Sequence, residues 1–253
     1  KDGVNIPSAI TTTYTIPSVA ISSSGSYDCV ITGCSGNITS NAVALNVTAT
    51  TMPTSLLYRW RLDNTLTEDV AANNLTAIGN YAFSYDRFNV NTKALSSNAA
   101  ATAFTLATPV RKDTITISLW YKALVTTGYK AIIGDTAGRY GDILGVANNE
   151  LKWQKAGSGA FSTGITISAG YWYHIVITKQ NTEMKFYLNG ALAYTAPTPT
   201  TVPVLGATGN AGTQINRFGN TAPIYNSQNM NGTLDDVRIY NGILTPSQIS
   251  SIY

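Results

Sequence analysis

The chain has 253 residues, of which 44% are hydrophobic but only 11% charged, with a formal net charge of +3. The apolar share is enough for a core, and Thr, Ser, Asn and Gly supply the polar surface that charged residues usually provide, which suits an extracellular β protein better than a cytosolic helical enzyme. The basic residues are dispersed, with Arg111-Lys112 their densest point, and no apolar run reaches membrane-spanning length, so neither nucleic acid nor membrane insertion is expected. Lys1 is not followed by a signal-peptide core, and the chain reads as mature or excised material.

In chain order, Tyr14, Ile16 and Val19 begin an alternating pattern, Ser24-Gly25-Ser26 marks a turn, and residues 27–31 and 42–47 read as two further strands. Tyr27 stands two residues before Cys29, as in the tyrosine corner ahead of the strand-F cysteine, so this segment resembles the C-terminal half of an immunoglobulin-like domain. A whole domain of that kind needs about 100 residues. Residues 1–49 therefore read either as a fragment or as a segment that exchanges strands with another chain, with residues 50–54 as a linker. Cys29 and Cys34 are either bridged locally across a hairpin or paired with partners upstream; their spacing is not the C-x-x-C of redox or metal sites.

From Leu56 onward, Gly, Asn and Pro turns space the strands and helical periodicity is almost absent. Residues 113–123 predict one long strand, residues 171–179 another, and residues 183–196 a hairpin turning on Asn189-Gly190. The last strand covers residues 232–241. Thr245, Pro246 and Gln248 then supply an N-cap, a first-turn proline and the third-position partner of a capping box, predicting a short terminal helix. The expected fold class is all-β: a two-sheet antiparallel sandwich with a short C-terminal helix.

Five segments in order, LLYRWRLDNTLTEDVAANNLTA, ITISLWYKA, WYHIVIT, MKFYLNG and GTLDDVRIYNGILTPSQI, resemble the laminin-G-like, concanavalin A-like jelly-roll family in its pentraxin-related bacterial form. The resemblance covers nearly all of residues 55–253, with the alanine-rich stretch from Ala94 to Ala107 departing from it. It implies a jelly roll whose members mostly bind glycans or proteins, often with calcium, while a minority hydrolyse polysaccharides; the fold by itself decides none of these.

Hydrolytic members carry Glu-x-Asp-x-x-Glu on one strand, because retaining hydrolysis needs a nucleophile and an acid about 5 Å apart. Glu68, Glu150 and Glu183, the only glutamates, do not form it, and His174, the only histidine, reads as a packed strand residue with no G-x-S-x-G nucleophile motif, so no catalytic residue is assigned. Gly206, Gly209 and Gly212 imitate a dinucleotide loop but read as a long turn, since no helix follows. Tyr129, Tyr140, Trp153 and Tyr225, beside loop residues, are candidates for stacking on sugar rings, whereas Trp60, Trp120 and Trp172 read as core.

By resemblance, Asp69 and the pair Asp235 and Asp236 fall on acidic positions that would bind one calcium ion, with Asn73 or Asn74 and carbonyls completing about six to eight oxygens at about 2.4 Å, and Asp63 as a lesser candidate. Strand alternation places Asp235 and Asp236 on opposite faces, one of them looking inward. The alternative is that one aspartate caps a turn or pairs with Arg61 or Arg238 while the other is solvated. The function expected is a non-catalytic, secreted or cell-surface recognition module with a glycan or cell-surface protein as partner; a structural spacer of a long adhesin or filament is the alternative, and a polysaccharide hydrolase comes third.

Overall fold

A computed structural model describes residues 1–7, 9–16, 19, 21–47, 56–98, 102–112, 114–134, 143–155, 159–180, 183–196, 215–219 and 229–253. The backbone divides into two units, Lys1–Thr51 and Met52–Tyr253. The sequence-predicted linker at residues 50–54, the glycine loop at residues 206–212, Tyr140 and Tyr225 lie outside the described residues.

In the first unit β1 (Gly25–Tyr27) pairs with β4 (Val43–Leu45), and β2 (Val30–Gly33) pairs with β3 (Gly36–Thr39), both antiparallel. Tyr27 Oη donates to the Ser23 carbonyl at 2.7 Å, the contact that a tyrosine corner makes. Many of the described apolar side chains are open to solvent: Ile10 is 91% exposed, Ile38 74% and Val43 69%. Tyr14 and Ile16 lie in no strand, because alternation becomes a strand only against a partner ladder. Cys29 and Cys34 are both free and exposed, so the local bridge is not made.

The second unit is a sandwich. Its strands are β5 (Leu56–Trp60), β6 (Leu75–Ile78), β7 (Ala82–Ser84), β8 (Ala94–Ser97), β9 (Ala103–Val110), β10 (Ile115–Ala123), β11 (Tyr129–Gly134), β12 (Ile143–Ala147), β13 (Glu150–Lys155), β14 (Gly159–Thr166), β15 (Trp172–Gln180), β16 (Glu183–Leu188), β17 (Ala191–Thr195), β18 (Ile215–Gly219) and β19 (Gly232–Tyr240), followed by α1 (Pro246–Ser251). One sheet runs β17-β16-β15-β10-β19-β8-β7 with β5 also on β19, and the other runs β14-β13-β12-β11-β18-β9-β6. Between them lie Trp60, Phe104, Tyr121, Trp153, Phe186 and Phe218, all buried, with Trp60 and Phe218 edge to face at 5.1 Å.

The local signals hold where they have a backbone mechanism. Asn189 (φ 49) and Gly190 (φ 81) both take positive φ in the hairpin turn, as the Asn-Gly pair requires. Thr245 caps α1 in a complete capping box with Gln248, and Pro246 opens the helix. The helix seats Ile249 on Val176, Tyr187, Tyr240 and Leu244, covering part of the outer face of the larger sheet.

Three tryptophan assignments change. Trp153, expected at a ligand surface, is 1% exposed and belongs to the core, because Leu151 and Trp153 share the inward side of β13. Trp120 and Trp172, expected in the core, are half-buried, and Trp120 shares the outer face with Ser118, since Leu119 and Tyr121 take the inward side of β10.

Tyr121 lies flat across Gly232 of the neighbouring strand, where a Cβ would sit 2.5 Å from its ring and hydroxyl. Gly232→Ala is expected to destabilise the fold by about 1–3 kcal/mol through overpacking, read as a lower urea midpoint at unchanged slope. A wild-type midpoint would show that the ring yields without cost.

Candidate functional site

Strand β19 changes neighbours in its middle. Gly232–Leu234 pair with β8, whereas Val237–Tyr240 pair with β5. On its other edge the register against β10 steps from Ser118↔Arg238 to Trp120↔Asp235, so Asp236 and Val237 together oppose the single residue Leu119, a β-bulge. Asp236 takes φ 47, in the left-handed region that Asp tolerates better than most residues. The bulge cancels the alternation. Asp235 and Asp236 therefore line one cavity, both buried, and the expectation that they point to opposite faces fails.

Both carboxylates are nearly enclosed, with side-chain exposures of 5% and 7%, and are matched by guanidinium groups from three parts of the chain. Arg59 on β5 donates Nε to Asp236 Oδ1 at 2.9 Å, and Arg238 on β19 donates Nε to Oδ1 at 3.0 Å and Nη2 to Oδ2 at 2.5 Å. Arg87, from the loop joining β7 to β8, donates Nη1 to Asp235 Oδ2 at 2.5 Å and brings Nη2 to 3.6 Å from Asp236 Oδ2. That loop is shaped by Asp86, whose Oδ1 accepts the N–H groups of Phe88 at 2.9 Å and Val90 at 2.8 Å. The Arg87 guanidinium also lies 4.5 Å from the Phe88 ring centre and 4.9 Å from that of Trp120.

Glu68 orders the loop after β5 in the same way. Its buried carboxylate accepts N–H groups from Arg59, Val70, Ala71 and Asn73, which holds Arg59 and Arg61 at the cavity wall. The cavity is about 230 Å³; Arg61 and Lys93 complete its cationic wall, Asp63 and Asp86 its anionic one, and exposed Phe88 and Val90 its rim. Sequence reading missed Arg59, Arg87 and Phe88, which no motif singles out.

Electrostatics separates the two aspartates. Burial pushes the Asp235 carboxyl up to about 6, although the Arg87 guanidinium pulls the other way. Burial acts on Asp236 too, but hydrogen bonds and charge from Arg238 and Arg59 outweigh it and hold that carboxyl below its ordinary value. Behind Trp120, His174 stacks at 5.0 Å and shares a hydrogen bond with Ser118 Oγ at 2.9 Å. Burial, then the positive charge of Arg238 and Arg87, lowers the His174 pKa to about 4, so it is a neutral packed residue as expected.

These residues do not fit calcium. Asp69 is not joined to the pair but accepts Arg61 Nε at 2.6 Å, and Asp63 faces Lys93 at 3.3 Å. Asn73 is engaged with Thr108 through both its amide atoms, and Asn74 accepts the Glu68 N–H. A divalent cation would have to displace guanidinium groups from Asp69, Asp235 and Asp236 and the Lys93 ammonium from Asp63. Among the described residues, no group of three His, Cys, Asp or Glu is arranged to hold a metal. Of the stacking candidates, Tyr129 lies half-buried against Gly145 on the other sheet, apart from the cavity lining.

A family profile described as "Concanavalin A-like lectin/glucanases superfamily" matches residues 95–250. No curated protein sequence matches the chain. Among solved structures, the chain superimposes on domain 4 of AbnA, a GH43 extracellular arabinanase from Geobacillus stearothermophilus in complex with arabinotriose, with a TM-score of 0.64 and 19% identity over 78% of this chain and 98% of that one. The ligand-binding domain of botulinum neurotoxin serotype D in complex with N-acetylneuraminic acid gives 0.56 at 17% identity over 79% of this chain, and the type G receptor-binding domain 0.54 at 14% over 79%. The match spans about half the length of the toxin chains, 50% and 51%. At these identities the likeness is one of fold.

Thermal melts with added calcium and with a chelator are expected to coincide, while Asp236→Asn lowers stability by about 3 kcal/mol by leaving half-buried guanidiniums unmatched. A midpoint raised by calcium would contradict the ion-pair account. The pH response of Asp235 has a defined sign. Its carboxyl binds a proton more tightly in the folded state (about 6) than at the ordinary 3.8, so its stabilising contribution is complete below that value and is lost as pH rises through about 6. Asp235→Asn should therefore gain stability relative to wild type as pH rises from about 4 to about 6, in parallel urea titrations; a constant difference across that range would refute the shift.

Proposed function

The chain belongs to the concanavalin A-like lectin/glucanase superfamily, and we propose that its larger unit is a non-catalytic carbohydrate-recognition module of an extracellular protein, with the cavity beside Asp235 and Asp236 as its binding site. The observation that carries this reading is the cavity itself: cationic and carboxylate groups line it beside an exposed aromatic ring, the combination that bonds hydroxyls and stacks on the apolar side of a sugar. Neighbours of the same fold support it, since one is a domain in complex with arabinotriose and another is in complex with N-acetylneuraminic acid.

Binding rather than hydrolysis is favoured by the state of the acids. A retaining nucleophile must present an unengaged carboxylate oxygen to the sugar. Asp236 has Arg59 and Arg238 on one oxygen and Arg238 on the other, with Arg87 close by. Asp235, with its raised pKa, therefore finds no such nucleophile in its neighbour Asp236. The composition, poor in charge and rich in Thr, Ser and Asn, supports an extracellular setting.

Native affinity electrophoresis of the full chain through gels containing single polysaccharides tests the proposal. Retarded migration in at least one, with no release of reducing ends from it, is the expected result. Unretarded migration in a broad panel would overturn the recognition role, and reducing ends whose release is abolished by Asp235→Asn would overturn the non-catalytic one.

A further inference from the structure

Resting on that reading, we infer that the cavity takes a single uncharged sugar residue, held between the Phe88 ring and the spare polar groups of Arg59, Arg61 and Asp235, and does not select for acidic glycans. Arginine-rich walls would ordinarily suggest an anionic ligand such as a uronic or sialic acid. Here every cation already has its anion. Arg59 is matched by Asp236, Arg61 by Asp69, Arg87 by Asp235 and Lys93 by Asp63. Four cations and four carboxylates line the cavity, so a ligand carboxylate would meet as much repulsion as attraction and would gain no net field.

What the pairing leaves over suits hydroxyls. Arg59 and Arg61 each engage a carboxylate through Nε alone, so their terminal N–H groups remain to donate. Asp235 uses Oδ2 for Arg87, and Oδ1 remains to accept. Neighbouring donors and acceptors of this kind fit vicinal hydroxyl groups, each of which can give one hydrogen bond and receive another. The apolar contact comes from Phe88, 71% exposed, which the Asp86 turn and the guanidinium behind it hold in place before any ligand arrives. Size sets the number of residues bound. At about 230 Å³ the cavity falls below the roughly 300–1,000 Å³ of sites for drug-sized ligands, which leaves room for one ring and directs the rest of the glycan into solvent.

Calorimetric titration of the full chain with methyl glycosides of neutral pentoses and hexoses, and with glucuronic and N-acetylneuraminic acids, tests this. A neutral glycoside should bind, with an affinity that changes less than about two-fold between low and high salt, because no net charge is neutralised. Phe88→Ala and Arg61→Gln alter exposed side chains, so both should melt like wild type, and each should weaken binding by about three- to ten-fold. Tighter, salt-sensitive binding of the acids overturns the uncharged ligand class while leaving carbohydrate recognition standing. Neutral binding untouched by both substitutions overturns this cavity as the site, again leaving recognition intact. Failure of every sugar, of both classes, overturns the inference together with the reading on which it rests.

Discussion

The larger unit is organised around one carboxylate, that of Asp236, held in a left-handed backbone conformation at the point where β19 exchanges one neighbour for another. A buried carboxylate without partners is costly enough to lose its charge or unfold the segment that carries it. Asp236 instead gathers Arg59 from the first strand of the unit, Arg87 from the loop between β7 and β8, and Arg238 from its own strand. Segments that are 177 and about 150 residues away in sequence are thereby fixed at one place, the longer separation being that of Arg59.

The cavity is a consequence of that irregularity. A regular β19 would pair continuously along one edge and send its acids to opposite faces. The bulge divides the edge between β8 and β5, turns two neighbouring acids the same way, and leaves an opening that arginine side chains reach from both sides. Because the guanidiniums arrive with their counter-charges, the opening is polar without being strongly charged. Half-buried Trp120 contacts the Arg87 guanidinium and stacks on buried His174, with Tyr253 against both rings.

The N-terminal unit shows the opposite balance. Two short ribbons pair their own backbones, and the Tyr27 hydrogen bond fixes one corner, but most of the described large apolar side chains are exposed. Hydrogen bonds exchanged with solvent contribute about 1 kcal/mol each, and burial of apolar surface is what normally outweighs chain entropy. A unit with so little burial is expected to open far more readily than the sandwich.

Much of the sandwich is legible in the sequence, since its signals are local: alternation in residues 115–123 and 172–180, the Asn-Gly hairpin, and the Thr245 capping box each act through neighbouring backbone groups and need no distant partner. The same alternation misleads where a single inserted residue shifts it, which is why Asp235 and Asp236 share a face. It is also silent on which phase faces the core, so Trp153 and Trp120 exchange the places expected of them. The acids are visible as a pair, and a cation is the natural partner to expect for them. Arg238, on the same strand, is a partner the sequence already offers; only the tertiary structure decides that Arg59 and Arg87 join it, because charge matching depends on distance in space, and nothing in a strand's own pattern records which side chains another strand will bring beside it.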